Sequence, residues 1–272
     1  MARPGARPRF SARHPAGTIA GAASLLQRTA ILVFLVALCW WAAAGIQINV
    51  QRIGRGLPAI ARIFSSMAPD AQWLWPAVET MGQTLAIALI GTTLGAVLAI
   101  PVAILAARNI VVYRAISALG RQLSNAIRAF PELVLGVFFV AAYGPGATAG
   151  TLALGVHSIG MLAKLYADIM ENVDPGPAEA LLAAGAGKLQ VFRFAILPQV
   201  LPEFVAAALY RFEINLRAAN VLGLVGAGGI GVILLQALTL RRWGVVGTCL
   251  LVIVAVVSVV DYGSAWVRKR LV

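Results

Sequence analysis

Runs of apolar residues divide this chain into six segments, which are separated by charged and turn-forming residues. A helix needs about 20 apolar residues to cross a hydrocarbon core of ~30 Å. All six runs reach roughly that length, so the pattern predicts an all-α membrane protein with six transmembrane helices. The segments are 29–48, 76–107, 122–143, 147–170, 200–236 and 244–267.

Two of these segments, 76–107 and 200–236, are longer than a straight crossing requires. We expect a kink at Pro101 in the former and a break at the glycines of 223–231 in the latter. Between the first two spans, residues 49–75 place apolar side chains at helical spacing and end in an aromatic pair. This pattern is typical of an amphipathic helix at the outer membrane interface.

The composition excludes a soluble globular protein. Of 272 residues, 60% are hydrophobic and 12% are charged, which leaves too little polar surface for a globule of this size. The formal charge of +12 does not indicate a nucleic-acid partner, because the basic residues punctuate apolar runs instead of forming one patch. Cys39 and Cys249 each lie inside an apolar run, and no cluster has the spacing of a metal site.

The basic residues predict the topology through the positive-inside bias. If both termini are cytoplasmic, thirteen basic residues lie inside and five outside. Residues 1–28 then form a basic cytoplasmic tail, and residues 29–272 form the transmembrane domain. The start of the chain also resembles a signal peptide with a cleavage site near Ala42–Ala44, but a polytopic chain needs no cleaved leader.

The longest cytoplasmic loop, residues 171–199, is rich in helix-forming residues. Pro177 suits a first helical position, Glu179 falls in a first turn where the helix dipole favours negative charge, and Gly185 suits a helix end. We therefore predict a short capped helix that ends after Ala184.

This loop resembles the "EAA" loop of ABC importer permeases. The matching residues are Glu179, Ala180, Gly185, Leu197 and Pro198. Leu181 and Ala195 depart from the pattern, in which a second Ala and an Ile are usual. The resemblance implies that the helix docks into an ATPase subunit; the alternative is a solvated connector that contains Glu-Ala by chance.

Over most of its length the chain resembles phosphonate importer permeases more narrowly. The resemblance is based on residues 79–109, 127–146, 155–173 and 197–231. The VGAGG ending of the last stretch is shared with methionine permeases, whereas the preceding Tyr210–Arg217 is typical of the phosphonate branch. The resemblance leaves phosphonate, phosphite and phosphate open as cargo.

The resemblance implies a type I importer transmembrane domain, similar to the methionine permeases, in the bacterial inner membrane. Its partners would be a second permease copy or a paralogue, two cytoplasmic ATPases, and a periplasmic or lipid-anchored phosphonate-binding protein. The chain has no Walker A sequence and no catalytic constellation, so ATP and Mg²⁺ would belong to the ATPase and this chain would bind no cofactor.

The fifth span contains a polar strip formed by Arg211, Glu213, Asn215 and Arg217. Charges within hydrocarbon must be paired or hydrated. We expect Glu213 and Arg217 to pair at i, i+4, while Arg211 requires a further partner. The strip is interpreted either as part of the translocation path or as a helix network that fixes packing.

Further along, Gly226, Gly228 and Gly229 follow a membrane helix and have no Lys-Ser/Thr after them, so we interpret them as a helix break and candidate gate, not as a nucleotide loop. Two rival functions remain at this stage. One is a methionine or other small-solute ABC permease, and the other is an ion-coupled carrier or membrane-embedded enzyme without an ATPase.

Overall fold

The computed structural model describes residues 17–46, 50–111 and 113–271, and every regular element within these ranges is helical. A 3₁₀ turn precedes α3, a π-helical turn precedes α9, and a second 3₁₀ turn follows α9. The helices are α1 (Gly17–Ile46), α2 (Val50–Ser66), α3 (Leu74–Ala106), α4 (Arg114–Ala129), α5 (Glu132–Tyr143), α6 (Ala147–Glu171), α7 (Gly176–Ala183), α8 (Lys188–Val191), α9 (Leu197–Leu222), α10 (Ile230–Thr239) and α11 (Trp243–Leu271).

The chain divides into two compact units, residues 1–61 and 62–272, and the division falls within α2. The first unit contains α1, which begins at Gly17 and so includes part of the stretch that the sequence analysis assigned to a basic tail. Residues 1–16 of that tail lie outside the described residues. The amphipathic helix predicted within 49–75 is present as α2, which is strongly amphipathic.

Within the described residues, five stretches of helix are long and apolar enough to cross a membrane. They are Gln27–Gly45, Ala71–Ala106, Ala147–Glu171, Leu189–Val225 and Trp243–Leu271. These correspond to five of the six predicted segments. The remaining segment, 122–143, is divided between α4 and α5, which are bent by 79° and make a sixth span only if they are counted together.

The bend between α4 and α5 occurs at Phe130 and Pro131. Phe130 is extended, with φ −80° and ψ 122°, because a residue before proline is sterically excluded from the helical region. Pro131 has no N–H to continue the helix and serves as the N-cap of α5. Pro101, in contrast, lies inside a continuous α3.

The second unit is built around a close pairing of α3 with α6. Glycines allow these two backbones to approach: a Cβ on Gly91 would lie 3.1 Å from the carbonyl oxygen of Thr151. A Cβ on Gly95 would lie 3.1 Å from the carbonyl oxygen of Gly155 and would collide with the Cβ of Ser158. Small residues at helix crossings are the usual means of packing helices closely in membranes.

Two hydrophobic cores lie along this pair of helices. The first core contains Met81 and Leu154 and joins α3 and α6 to the end of α9 and to α10 and α11. The second core contains Ala103 and Tyr166 and joins the other ends of α3 and α6 to the start of α9. Buried polar side chains occupy the level between the two cores, and these are described below.

We predict that Gly95→Ala destabilises the protein by about 1–3 kcal/mol, because the added methyl group overpacks the α3–α6 crossing. The measurement is thermal unfolding of the purified protein in detergent. Gly82→Ala on the same helix is the matched control, since a Cβ there meets nothing within 4 Å. Equal unfolding temperatures for the two variants would contradict the close packing.

Candidate functional site

The loop between α6 and α9 contains a helix with well-defined ends. At its start, the Asp174 carboxylate accepts a hydrogen bond from the N–H of Gly176 (3.0 Å), and the N–H of Glu179 donates to the carbonyl of Pro175 (2.9 Å). Pro177 and Glu179 both lie in the first turn. The helix therefore begins one residue before Pro177, the predicted first helical position, and Asp174 accepts a hydrogen bond from its first N–H.

The end of α7 forms a Schellman motif. Gly185 has φ 82°, its N–H donates to the carbonyl of Leu182 (3.0 Å), and the N–H of Ala186 donates to the carbonyl of Leu181 (3.0 Å). Because a left-handed residue is required at this position, glycine fits it without strain. The helix ends at Ala183, with Ala184 as its C-cap, as the sequence predicted to within one residue.

Gln199 joins the two ends of this loop. Its amide oxygen accepts from the N–H of Asp174 (3.2 Å), and its amide nitrogen donates to the carbonyls of Ala195 (2.8 Å) and Asp174 (3.4 Å). Leu197 and Pro198 begin α9 directly after the π-helical turn. Gln199 was missed by the sequence analysis, although it follows the Leu-Pro pair immediately.

Large apolar side chains project from the loop without intramolecular cover. The exposed fractions are 55% for Leu182, 79% for Leu189 and 66% for Phe194. Glu179 is also exposed. The loop thus presents a rigid helix beside an uncovered apolar surface, which is the arrangement expected of a surface that binds a partner.

Arg211 is the largest fully buried side chain of the described residues, with an exposure of 2%. Its Nε donates to Ser158 Oγ (3.0 Å), and its Nη1 donates to Met161 Sδ (3.1 Å). Its Nη2 lies 2.7 Å from His157 Nδ1 and 3.6 Å from Glu132 Oε2. The further partner that Arg211 requires is therefore supplied by α5 and α6 together.

Asn215 lies one turn further along α9 and shares a partner with Arg211. Its side-chain nitrogen donates to Ser158 Oγ (2.9 Å) and to Thr92 Oγ1 (2.8 Å) on α3. Asn215 is completely buried. Ser158 therefore links both polar residues of α9, and the resulting network, which we call the polar layer, connects α3, α5, α6 and α9 between the two hydrophobic cores.

The predicted ion pair between Glu213 and Arg217 is wrong. Glu213 instead accepts hydrogen bonds from Ser264 Oγ and from Arg268 Nη1 (2.6 Å), both on α11. Arg217 pairs with Asp261 on α11 at 3.2 Å. Both side chains turn to the neighbouring helix because α11 offers opposite charges at matching levels, which spacing within one helix does not reveal.

The glycine-rich break between α9 and α10 is confirmed, and its backbone is held by neighbouring elements. Gly226, Gly228 and Gly229 all have positive φ, at 87°, 86° and 75°. The N–H groups of Gly229 and Ile230 donate to Gln83 Oε1 (3.1 Å) and Thr84 Oγ1 (2.8 Å) of α3. Side chains of α3 thus satisfy the first donors of α10.

The sequence-predicted residues form four separate groups in the structure. Arg211 and Asn215 meet in the polar layer, whereas Glu213 and Arg217 face α11. The loop residues and the glycine break each form a group of their own. Side chains of other helices complete the first two groups, and the sequence does not show which of them meet α9; they are Thr92, Glu132, His157, Ser158, Asp261, Ser264 and Arg268.

Comparison with known proteins identifies a matching family. The family model described as "Binding-protein-dependent transport system inner membrane component" matches residues 99–272. Among curated proteins, the phosphite transport system permease protein PtxC of Stutzerimonas stutzeri is 42% identical over 251 residues, covering 90% of this chain and 89% of that protein. The phosphate-import permease protein PhnE of Mycolicibacterium smegmatis is 44% identical over 190 residues, covering 70% of this chain and 36% of that protein.

The fold also has a counterpart among solved structures. A chain of the MetNI methionine ABC transporter, solved in inward-facing conformations, superimposes with a TM-score of 0.66 and covers 75% of this chain and 99% of its own length. The two sequences are 24% identical, so the likeness concerns the fold. The expected all-helical type I importer domain is thereby confirmed.

We predict that Arg268→Gln destabilises the protein by about 1–3 kcal/mol, because it leaves the Glu213 carboxylate, whose side chain is 7% exposed, without a cation. Glu213→Gln combined with Arg268→Gln should recover part of this loss, since neither charge is then buried alone. Thermal unfolding in detergent provides the measurement, and Glu79→Gln is the control, because Glu79 is exposed and forms no ion pair with any residue that the structure describes. A double variant no more stable than Arg268→Gln would argue against direct pairing.

Proposed function

The chain belongs to the family of binding-protein-dependent transport system inner membrane components, and we propose that it is the permease subunit that moves a phosphorus oxyanion in an ATP-driven importer. The observation that supports this cargo is the 42% identity over 90% of the chain to a protein named as a phosphite transport permease. Phosphite, phosphonate and phosphate share a tetrahedral phosphorus centre with negatively charged oxygens, so they form one chemical class.

We propose that α7 docks into an ATPase subunit on the cytoplasmic side. The support is the capped helix Gly176–Ala183 with Glu179 in its first turn, flanked by the exposed side chains of Leu182, Leu189 and Phe194. Docking would bury these side chains and fix α7 as a rigid lever. Gln199 bridges the start of the loop to the start of α9, so a displacement of α7 would reach α9 directly.

The proposed orientation has both termini in the cytoplasm. The distribution of basic residues supports it, since α7 and the Arg268–Arg270 cluster at the end of α11 then lie on the same, positively charged side. The partners proposed with this orientation are a second permease copy or a paralogue, two ATPases that bind ATP and Mg²⁺, and an external phosphonate-binding or related binding protein.

For the polar strip of α9, we favour the helix-network role. Arg211 and Asn215 donate hydrogen bonds to Ser158, and both side chains are buried, so neither is presented to an anion in this conformation. Arg217 differs, since its side chain is 50% exposed and paired with a half-exposed Asp261. It is the member of the strip that remains accessible to a translocation path or a second subunit.

We interpret the glycine break as a gate whose own backbone is held in place by α3. The contacts of Gly229 and Ile230 with α3 support this, because they keep the backbone fixed while α9 and α10 on either side retain helical geometry. Movement of the break would accordingly require movement of α3.

The cargo is tested with the permease–ATPase complex reconstituted in vesicles together with its cognate binding protein. We expect phosphite, methylphosphonate or phosphate to stimulate ATP hydrolysis and to accumulate inside, whereas methionine should do neither. Stimulation by methionine alone would overturn the proposed cargo while leaving the family assignment intact.

The coupling role of α7 generates a second prediction. Gly185→Ala forces a left-handed conformation on a residue with a Cβ, at a cost of about 1–2 kcal/mol, and should distort the helix end. We expect the variant, and Glu179→Ala, to retain less ATPase on copurification and to lose cargo-stimulated hydrolysis.

Gly187→Ala in the same loop is the matched control for Gly185→Ala. Gly187 lacks a positive φ, and a Cβ there would meet only the side-chain oxygen of Gln190 at 3.8 Å. Full coupling in Gly185→Ala, or equal losses in both glycine variants, would contradict the proposed role.

A further inference from the structure

The end of the bundle that bears α7 also contains a basic cleft. This cleft of about 700 Å³ lies between the α3–α4 connection and α4, and we call it the α4 cleft. Arg108, Arg114 and Arg121 line it together with Ser117, Gln122 and Asn125. None of these residues belongs to the loop, the polar layer or the glycine break.

Among the side chains of these three arginines, that of Arg121 is bonded to other described residues. Arg121 donates through Nε to the carbonyl of Ala106 (3.0 Å) and through Nη2 to Glu171 Oε1 (2.6 Å), which fastens α4 to the ends of α3 and α6. The side chains of Arg108 and Arg114 are exposed and form no ion pair with any described residue. The guanidinium groups of Arg108 and Arg114 are thus available to bind a ligand, and they lie beside that of Arg121, which is bonded to α3 and α6.

The start of α4 adds positive potential at the same place. Arg114 is its first residue, no side chain caps it, and its first turn contains no acidic residue. Helix N-termini favour acidic or capping residues because their N–H groups carry partial positive charge. A basic, uncapped first turn is therefore electrostatically unfavourable for the isolated chain and becomes favourable when an anion is bound.

A smaller cavity of about 140 Å³ adjoins the α4 cleft, and Arg121 and Asn125 line both. Ser124 also lines the smaller cavity; this residue is 2% exposed, and its hydroxyl has no hydrogen-bond partner. Buried hydroxyl groups are normally hydrogen-bonded, so the Ser124 hydroxyl can donate to a ligand atom or a water in this cavity. Lys164 and Asp168 complete the wall.

We propose that the α4 cleft and its adjoining cavity bind a phosphate group, either that of an anionic phospholipid or free phosphate. Arg108 and Arg114 would contact its oxygens bidentately, as guanidinium groups do with tetrahedral oxyanions, and Ser124 would donate to one oxygen or to a water bound beside it. The four basic side chains of the two cavities, Arg108, Arg114, Arg121 and Lys164, outnumber the two carboxylates, Asp168 and Glu171.

The other flank of α4 is compatible with a membrane-bound ligand. Ile116, Leu119 and Leu123 are 40%, 71% and 46% exposed, and their spacing places them on one stripe of the helix. A helix with an apolar stripe and an arginine-lined cleft has the amphipathic, basic character of helices that lie at anionic membrane surfaces. A lipid would extend its acyl chains along this stripe while its phosphate occupies the cleft.

The test uses the full-length permease–ATPase complex in two arms. In the first, the complex is reconstituted into vesicles of phosphatidylglycerol and phosphatidylcholine in equal parts, extracted in mild detergent, and examined by native mass spectrometry for retained phosphatidylglycerol. In the second, inorganic phosphate is titrated while thermal unfolding is recorded. The variant is Arg108→Gln with Arg114→Gln, and the charge-matched control is Arg241→Gln with Arg242→Gln in the turn between α10 and α11.

We expect the cleft variant to lower phosphatidylglycerol retention, or the apparent affinity for inorganic phosphate, at least about tenfold, while the control remains like the unmodified complex. Loss in the first arm identifies a lipid headgroup, and loss in the second identifies free phosphate. Ser124→Ala, which keeps every charge, should weaken the same arm without lowering the unfolding temperature. If the cleft variant and the control are indistinguishable in both arms, the proposal is wrong.

Discussion

The need to satisfy a buried guanidinium group organises the centre of this protein. Arg211 lies in a helix that crosses the bundle, and an unpaired charge at such a depth costs several kcal/mol. Each of its three guanidinium nitrogens contacts a side chain of α5 or α6, and Ser158 extends the network through Asn215 to Thr92 on α3. These contacts fix α3, α5, α6 and α9 in one register. The two hydrophobic cores on either side of the polar layer pack within that arrangement.

The same helices connect the polar layer to the loop that contains α7. Glu171 at the end of α6 accepts from the N–H of Arg108 and from the Arg121 side chain, while Gln199 holds Asp174 against the start of α9. A force applied to α7 therefore acts on α3, α4, α6 and α9 together. This rigidity at the loop contrasts with the exposed apolar side chains of the loop, which the proposed ATPase contact would cover.

The sequence predicted the features that depend on local chemistry. Apolar run lengths located the spans, and the Pro177, Glu179 and Gly185 pattern located α7, because capping and membrane crossing depend on residues close together in the chain. The partners of Glu213 and Arg217 could not be predicted, since they depend on which helix packs beside α9. The bend at Pro131 was overlooked because residues 122–143 were treated as one segment, although proline and its predecessor are restricted locally.

The capping of α10 by Gln83 and Thr84 has a consequence for biogenesis. Ten residues are too few for an isolated helix to be stable, and the groups that satisfy the first donors of α10 lie 146 positions earlier in the chain. During synthesis, α3 emerges from the ribosome long before α10, so the acceptor groups of Gln83 and Thr84 are already in the bilayer when α10 forms. Formation of α10 is thus conditional on correct insertion of an early span, which gives the nascent chain a built-in order of assembly.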